Sequence, residues 1–223
     1  MDLERCLVEK RSCKSYLDKS VPIELIGEML KAGTFAPSAG NLQNWQFIVV
    51  RTEEKRFAIA AACHKQDWMR GAPVHIIICN DVKKVTDMFS RKGKLYATQA
   101  CAIAGQNIML KATDVGLYTC WVGSFDEYAL AKILKLPDNI VPEMIITIGY
   151  SDQLEQGMDR VPVERVTFFD EHGKNVVEKS FFPLSKYGEN VAKVLEKATG
   201  INQQQESSEQ HKPLEKLRNW FRK

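Results

Sequence analysis

Helical segments alternate along this chain with short β-branched runs, and that pattern by itself predicts an α/β layer sandwich. Three observations carry the prediction. Residues 47–50, 74–79 and 144–149 are apolar runs of strand length. Residues 74–79 are apolar at every position except His75, as expected of a central strand buried on both faces. Residues 95–117 have few charges and place Ala97, Ala100, Cys101, Ile103, Ala104, Ile108 and Met109 all round a helix. A helix apolar on every face is a buried one, so this segment is expected to be the central core helix.

Size and composition fit such a domain. The chain has 223 residues, 44% hydrophobic and 26% charged, enough for one large domain or one domain with an extension. A net charge of +3 is too small to argue for nucleic acid. No apolar run reaches the roughly 18 residues of a membrane span, and the first residues lack the apolar stretch of a signal peptide. A cytoplasmic protein without stable membrane insertion is expected. The cysteines Cys6, Cys13, Cys63, Cys79, Cys101 and Cys120 form no Cys-x-x-Cys pair and no zinc-ligand spacing with histidine, so no metal is expected. Cys79 and Cys101 sit in apolar runs and read as core. Cys13 lies between Arg11 and Lys14, a setting that lowers a thiol pKa and raises reactivity.

In chain order, residues 2–11 read as a first helix with Leu3, Leu7 and Val8 on one face. It ends in Lys10, Arg11, Ser12, Cys13 and Lys14. These cations offset the dipole of the helix end, or with Ser12 they hold an anion. Ser20 is a candidate N-cap for a second helix, Pro22 suits its first turn, and Ile23, Ile26 and Leu30 give it a buried stripe. The helix ends near Gly33. A turn rich in small and polar residues then leads into the strand at 45–50. Such a turn lets backbone approach a ligand closely.

That turn, Ala36-Pro37-Ser38-Ala39-Gly40-Asn41-Leu42-Gln43-Asn44-Trp45, resembles the Ala-Pro-Ser-x-x-Asn-x-Gln-Pro-Trp segment of the nitroreductase-like FMN-dependent oxidoreductases. Asn44 departs from the pattern, which has Pro there, and loses some backbone stiffness. Lys10, Arg11, Ser12 and Lys14 match the family's basic-basic-Ser-x-basic motif, with Lys at two sites where Arg is commoner. Lysine still serves phosphate as a point charge but lacks the bidentate fork.

Residues 53–63 read as an Ala-rich helix. His64 reads as a surface or capping histidine, and Gln66 lies where some family members place a flavin-contacting amide. Residues 81–94 read as an exposed connection or short helix. Gly116 is a natural helix C-terminal cap. The next stretch, Tyr118-Thr119-Cys120-Trp121-Val122-Gly123-Ser124-Phe125, resembles the family's Gly-Leu-Gly-Thr-x-Trp-x-Gly-x-Phe pattern, with Tyr118 in place of the second Gly. In the family this loop lies by the isoalloxazine ring, and a backbone N–H reaches flavin N5. Trp121 and Phe125 also read as core. A short helix at 126–134, an exit loop and a strand at 144–150 follow. Arg160-Val161-Pro162-Val163-Glu164 resembles the family's basic-x-Pro-Leu-Glu segment, and residues 163–168 read as an edge strand.

The resemblance covers residues 5–168 and replaces the pattern-based sandwich with an α+β fold: a mainly antiparallel central sheet flanked by helices, in a homodimer that binds FMN at the subunit interface. It implies that NAD(P)H reduces the flavin and that an organic acceptor such as a nitroaromatic or quinone then reoxidises it. A same-fold reaction (dehalogenation or flavin cleavage) and a non-catalytic flavin-binding protein are the alternatives. By this resemblance Lys10, Arg11, Lys14 and Arg160 hold the phosphate end. Ser12, Pro37, Ser38, Asn41, Gln43, Val122 and Gly123 lie against the ring or ribityl chain. No side chain stands out as a required acid or base, so no catalytic residue is named. The FMN-binding domain is expected over 1–187, with an extension at 188–223. In that extension residues 202–210 form a polar linker. Lys212 to Lys223 carry five basic residues against one acid, with Leu214, Leu217, Trp220 and Phe221 at helical spacing. Such a basic amphipathic helix docks on its own fold, a partner, a dimer mate or an anionic surface.

Overall fold

The structure is a computed structural model that describes residues 2–64, 66–153, 157 and 159–173. The chain divides into two compact units, Met1–Met158 and Asp159–Lys223. The extension expected from residue 188, its linker and its basic helix lie outside the described residues.

In the first unit, α1 (Leu3–Glu9) and α2 (Ile23–Thr34) precede strand β1 (Trp45–Val50). Then come α3 (Glu53–Ala61), β2 (Val74–Asp81), α4 (Val82–Phe89), α5 (Gly93–Asp114), β3 (Tyr118–Val122), α6 (Glu127–Leu134) and β4 (Ile140–Gly149). The four strands form one sheet in the order β1-β2-β4-β3, antiparallel throughout. The register places Val50 opposite His75, Val74 opposite Ile148 and Tyr118 opposite Gly149.

Strands β2 and β4 are central, which is why their side chains are apolar on both faces. Val74, Ile76 and Ile78 pack with Met144, Ile146 and Ile148 against Ile26 and Met29 of α2 and Ile108 of α5. Ile77, Cys79 and Ile145 face the other way, onto Ile59 of α3 and Leu130 of α6. Burying each large aliphatic side chain contributes about 1.5–3 kcal/mol, so alternate residues of one strand hold two helical layers. The antiparallel order corrects the sandwich read from pattern alone. A strand covered by helices on both faces becomes wholly apolar whichever way its neighbours run.

Helix α5 is the core helix the sequence predicts, with Ala97, Ala104 and Ile108 fully buried. It ends in a Schellman motif: Leu117 N–H donates to Ala112 O (2.8 Å) and Gly116 N–H to Thr113 O (3.1 Å), with Gly116 at φ 77°. Cys79 and Cys101 are buried as expected.

Several local expectations are corrected. Pro22, not Ser20, occupies the N-cap of α2. Ile23 is 55% exposed, and the buried stripe is Ile26, Met29 and Gly33. Residues 47–49 are only partly buried because β1 is an edge strand. Trp121 is 37% exposed rather than core, since β3 is the other edge strand and the indole, which reaches Gly105 of α5, is covered on one side only. In the second unit, Val163–Val166 forms a single helical turn (α7), not a strand. Pro162 caps that turn, and its carbonyl accepts from Arg165 N–H at 3.0 Å.

Candidate functional site

The basic-Ser segment is laid against the start of β3. Ser12 forms a parallel bridge with Thr119, and Cys13 N–H donates to Thr119 O at 3.0 Å. Two pieces distant in sequence are thereby placed side by side. Thr119 Oγ1 is buried and has no partner among the described residues. An orphaned hydroxyl beside Ser12 is costly to leave unmade and marks this junction as a place for a polar ligand.

Around the junction the cations have different settings. Arg11 Nη1 donates to Val8 O and, at 2.9 Å, to Lys10 O. It therefore satisfies the carbonyl end of α1, as the helix-dipole argument predicts. A Cβ at Gly157 would run into the Arg11 guanidinium, which would have to swing aside. Lys14 Nζ lies 5.9 Å from the centroid of the Trp68 ring, within cation–π range. Cys13 is only 3% exposed, and its Sγ donates to Ser15 O at 3.0 Å. The expectation of an accessible, reactive thiol is corrected: its basic neighbours point past a sulfur that is packed inside.

Beyond β3 the chain turns through Gly123 and Ser124. Gln66 Nε2 donates to Ser124 O at 3.1 Å, and Asp126 N–H donates to Ala62 O at 2.9 Å. Asp126 also caps α6 by accepting from Ala129 N–H at 2.9 Å. The turn is thus fixed from behind while Gly123 stays exposed. A Cβ there would touch nothing closer than the Trp121 indole at 3.5 Å. The main chain at Gly123 is therefore exposed, while Val122 before it is buried.

The second group of candidates sits on the loop after α2. Gly40, Asn41 and Gln43 adopt positive φ of 58°, 55° and 47°. For Gln43 that conformation costs about 1–2 kcal/mol. Local bonds hold it: Gln43 N–H donates to Ser38 Oγ at 2.9 Å, and Gln43 Nε2 donates to Asn41 Oδ1 at 3.1 Å. Gly40 packs on α4, where an added Cβ would meet Met88 Sδ at 3.1 Å. Pro37, Ser38 and Ala39 edge a cleft of about 190 Å³ that Tyr96 and Ile103 of α5 complete. Arg160 is exposed and lies in the second unit.

The structure pairs the Lys10–Lys14 segment with the start of β3 through Ser12 and Thr119, and Val122 and Gly123 lie at the other end of that strand. Pro37, Ser38, Asn41 and Gln43 form a separate group on a different pair of elements. Two contributors were not legible beforehand, Thr119 and Asn44. The signal for Asn44 was its departure from the family's Pro. Among the described residues, no group of three His, Cys, Asp or Glu could hold a metal ion.

With this geometry in view, the comparisons with known proteins are specific. The model of the nitroreductase family matches residues 7–66 and 60–150. The chain belongs to the nitroreductase family. A relative from Archaeoglobus fulgidus, of the NADH dehydrogenase/NAD(P)H nitroreductase type, is 34% identical over 155 residues, 66% of this chain and 86% of its own length. The solved structure of an FMN-dependent nitroreductase from Clostridium difficile R20291 is 28% identical with a TM-score of 0.65. That match covers 74% of this chain and 98% of that one. An iodotyrosine dehalogenase 1 homolog from Caenorhabditis elegans is 25% identical over 71% of this chain and 58% of its own length. The nitroreductase fold accounts for the antiparallel sheet between helical layers seen here.

Proposed function

We propose that this member of the nitroreductase family is an FMN-dependent oxidoreductase that takes reducing equivalents from NAD(P)H and passes them to an organic acceptor such as a nitroaromatic or a quinone. The observation that supports the reading is the Ser12–Thr119 junction, which pairs a cationic segment and an orphaned hydroxyl with the strand that leads to the exposed Gly123 turn. The donor set fits FMN: cations for a phosphate, hydroxyls and amides for a ribityl chain and a pyrimidine edge, and an exposed glycine turn for a flat ring. Bound FMN supplies the electron-transfer chemistry, with N5 the position that takes and returns hydride.

The protein's part is placement. Lys10, Arg11, Lys14 and Arg160 offset the phosphate charge. Arg11 has donors to spare beyond those it gives α1, since a guanidinium carries five N–H groups. Ser12, Asn41 and Gln43 supply hydrogen bonds, Pro37 and Ser38 shape the loop, and the Val122–Gly123 backbone approaches the ring. No side chain is assigned as acid or base.

A homodimer goes with this reading. Leu3, Leu7 and Val8 of α1, Phe35 after α2, and Leu95 and Ile103 of α5 are large apolar side chains left exposed in the single chain, Phe35 by 75%. Exposed apolar surface on this scale fits a protein interface, and pairing would bring the loop of one subunit to the junction of the other. Six free cysteines suit a reducing cytoplasm. Among the described residues, no helix is long and apolar enough to cross a membrane. The domain that binds FMN is taken as 1–187, with 188–223 as an extension to it. A second reading, reductive dehalogenation on the same scaffold, is favoured by the Caenorhabditis elegans relative.

The test is the visible absorption spectrum of the purified protein, recorded anaerobically before and after NADH and then NADPH. A flavin spectrum that bleaches with either donor and recovers with a nitroaromatic or quinone supports the oxidoreductase and names the donor. Recovery only with a halogenated aromatic moves the assignment to dehalogenation. A flavin spectrum that never bleaches points to a non-catalytic flavoprotein, and failure to take up added FMN overturns the reading.

A further inference from the structure

Asn44 follows the left-handed Gln43 and precedes β1. It is 2% exposed, although an uncharged amide at a strand entrance would ordinarily face water. Its Nδ2 donates to Asn80 Oδ1 at 2.7 Å and to Ala97 O at 3.0 Å. Asn80, itself fully buried, donates from Nδ2 to Glu143 Oε1 at 2.6 Å. Thr98 Oγ1 donates to the same carboxylate oxygen at 3.0 Å. The backbone closes the set, Asp81 N–H donating to Asn44 O at 2.9 Å. One side chain thus ties the end of the loop to β2, to α5 and, through Asn80, to β4.

The tie matters because of what it adjoins. Gln43 has φ 47°, a region that L residues other than Gly, Asn and Asp avoid. Its own N–H is held by Ser38 Oγ and its amide by Asn41, so Gln43 is fixed on the loop side by those two bonds. On the strand side it is fixed by whatever holds residue 44. Where the family pattern has proline, the chain is stiffened by the ring; here the side-chain bonds of Asn44 hold the same junction. An alanine at 44 would leave Asn80 Oδ1 and Ala97 O short of a buried donor.

We propose that Asn44 is a positioning residue: anchored to Asn80 and Ala97, it holds Gln43 in its left-handed conformation and so presents the Asn41–Gln43 amide pair to the flavin. This rests on the FMN reading above. It assigns Asn44 no contact with the ligand. Its effect passes through Gln43.

The experiment is a double-mutant cycle on FMN affinity, followed by quenching of flavin fluorescence in the full-length protein. The variants are Asn44→Ala, Gln43→Gly and the pair, with a thermal melt of each apo form. Gln43→Gly removes the amide but tolerates positive φ. Asn44→Ala is expected to weaken FMN binding by about tenfold, the scale of one misplaced hydrogen bond. The same change made in the Gln43→Gly background is expected to cost less than about twofold further, because the group it acts through is already gone. If the two losses multiply in the double variant, Asn44 and Gln43 act independently and the proposal is overturned. It is also overturned if Asn44→Ala binds FMN as the parent does. If Asn44→Ala does not fold, the cycle is run with Asn44→Ser, which removes the reach to Asn80 but keeps a polar side chain and carries the same expected non-additivity. A parent protein that takes up no FMN would overturn the flavin reading and this inference with it, an outcome visible before any variant is measured.

Discussion

The hydroxyl oxygens of Tyr16 and Thr147 lie 2.7 Å apart, which joins the segment behind Lys14 to the central strand β4. The Tyr16 hydroxyl also donates to Cys13 O at 2.8 Å. The basic segment is therefore pinned at both ends, by Ser12 on Thr119 and by Tyr16 on Thr147. Burial raises the Tyr16 pKa far above its ordinary value, so the phenol stays neutral and available as a donor. Tyr16→Phe leaves Cys13 O without this donor and is expected to cost about 1–3 kcal/mol. For a chain of this size that lowers Tm by roughly 2–12 °C. A calorimetric scan that shows no change would mean the pin contributes nothing.

Two glycines should respond oppositely to alanine. A Cβ at Gly93 would lie 2.5 Å from Thr86 Cα and 2.9 Å from Thr86 N, backbone atoms that cannot swing away. Gly93→Ala must part α4 from α5 and is expected to destabilise by about 3 kcal/mol or more. Gly27, inside α2, has open space where its Cβ would go. Gly27→Ala should stabilise by about 0.5–1 kcal/mol. Urea midpoints of the two variants, read against the parent, decide both.

His75 sets an acid limit on stability. It is fully buried in β2 on the α3 side of the sheet, with Nε2 2.9 Å from Met69 O and Nδ1 without a partner among the described residues. Protonation would put a second N–H where nothing described accepts it. Burial, chiefly, lowers its pKa from 6.5 to about 4. The unfolded chain therefore binds the proton first as pH falls. The stabilisation is complete above about 6.5 and is lost between there and about 4, to an extent on the order of 3 kcal/mol. Denaturant midpoints at pH 7.5 and pH 5 should differ accordingly. His75→Gln should flatten the difference, and an unchanged slope in that variant would remove His75 as its source.

The thiols should be silent in the native state. Cys79 and Cys101 have no exposed surface, and burial pushes both pKa values up to about 12, so neither supplies thiolate at neutral pH. Iodoacetamide should label them only after unfolding. Cys13, buried against Ser15 O, should also resist, and Cys13→Ser should retain reductase activity. Rapid native labelling of Cys13 with parallel loss of activity would restore a thiol mechanism.

Much of this was legible in the chain because some residues answer to one force only. The run at 74–79 is apolar because two helical layers cover it. Gly116 and Asp126 announce helix ends because left-handed backbone and orphan N–H groups have few chemical solutions. Strand direction was not legible from pattern, since two-sided burial erases the alternation that distinguishes an exposed face. The family's motifs supplied it instead. Ile23 and Trp121 were misread for one reason: hydrophobicity reports that a side chain will be covered, not by what, and in a single chain Ile23 is mostly exposed and Trp121 partly so. Asn44 was legible only as an anomaly. Its meaning depends on Asn80 and Ala97, partners that no local pattern identifies.

The Ser12–Thr119 bridge also dictates an order of assembly. The basic segment is made early, while the strand that seats it is made only after β1, β2 and the whole of α5. Pairing ends so distant in sequence carries a large loop-closure cost and is slow. The junction of the basic segment with β3 is therefore a late product of folding, finished after the core helix has found the sheet. FMN can then capture a chain that has already folded but has little to hold on a nascent one. Cofactor supply in a cell would set how long the finished protein survives, and not how fast it is made.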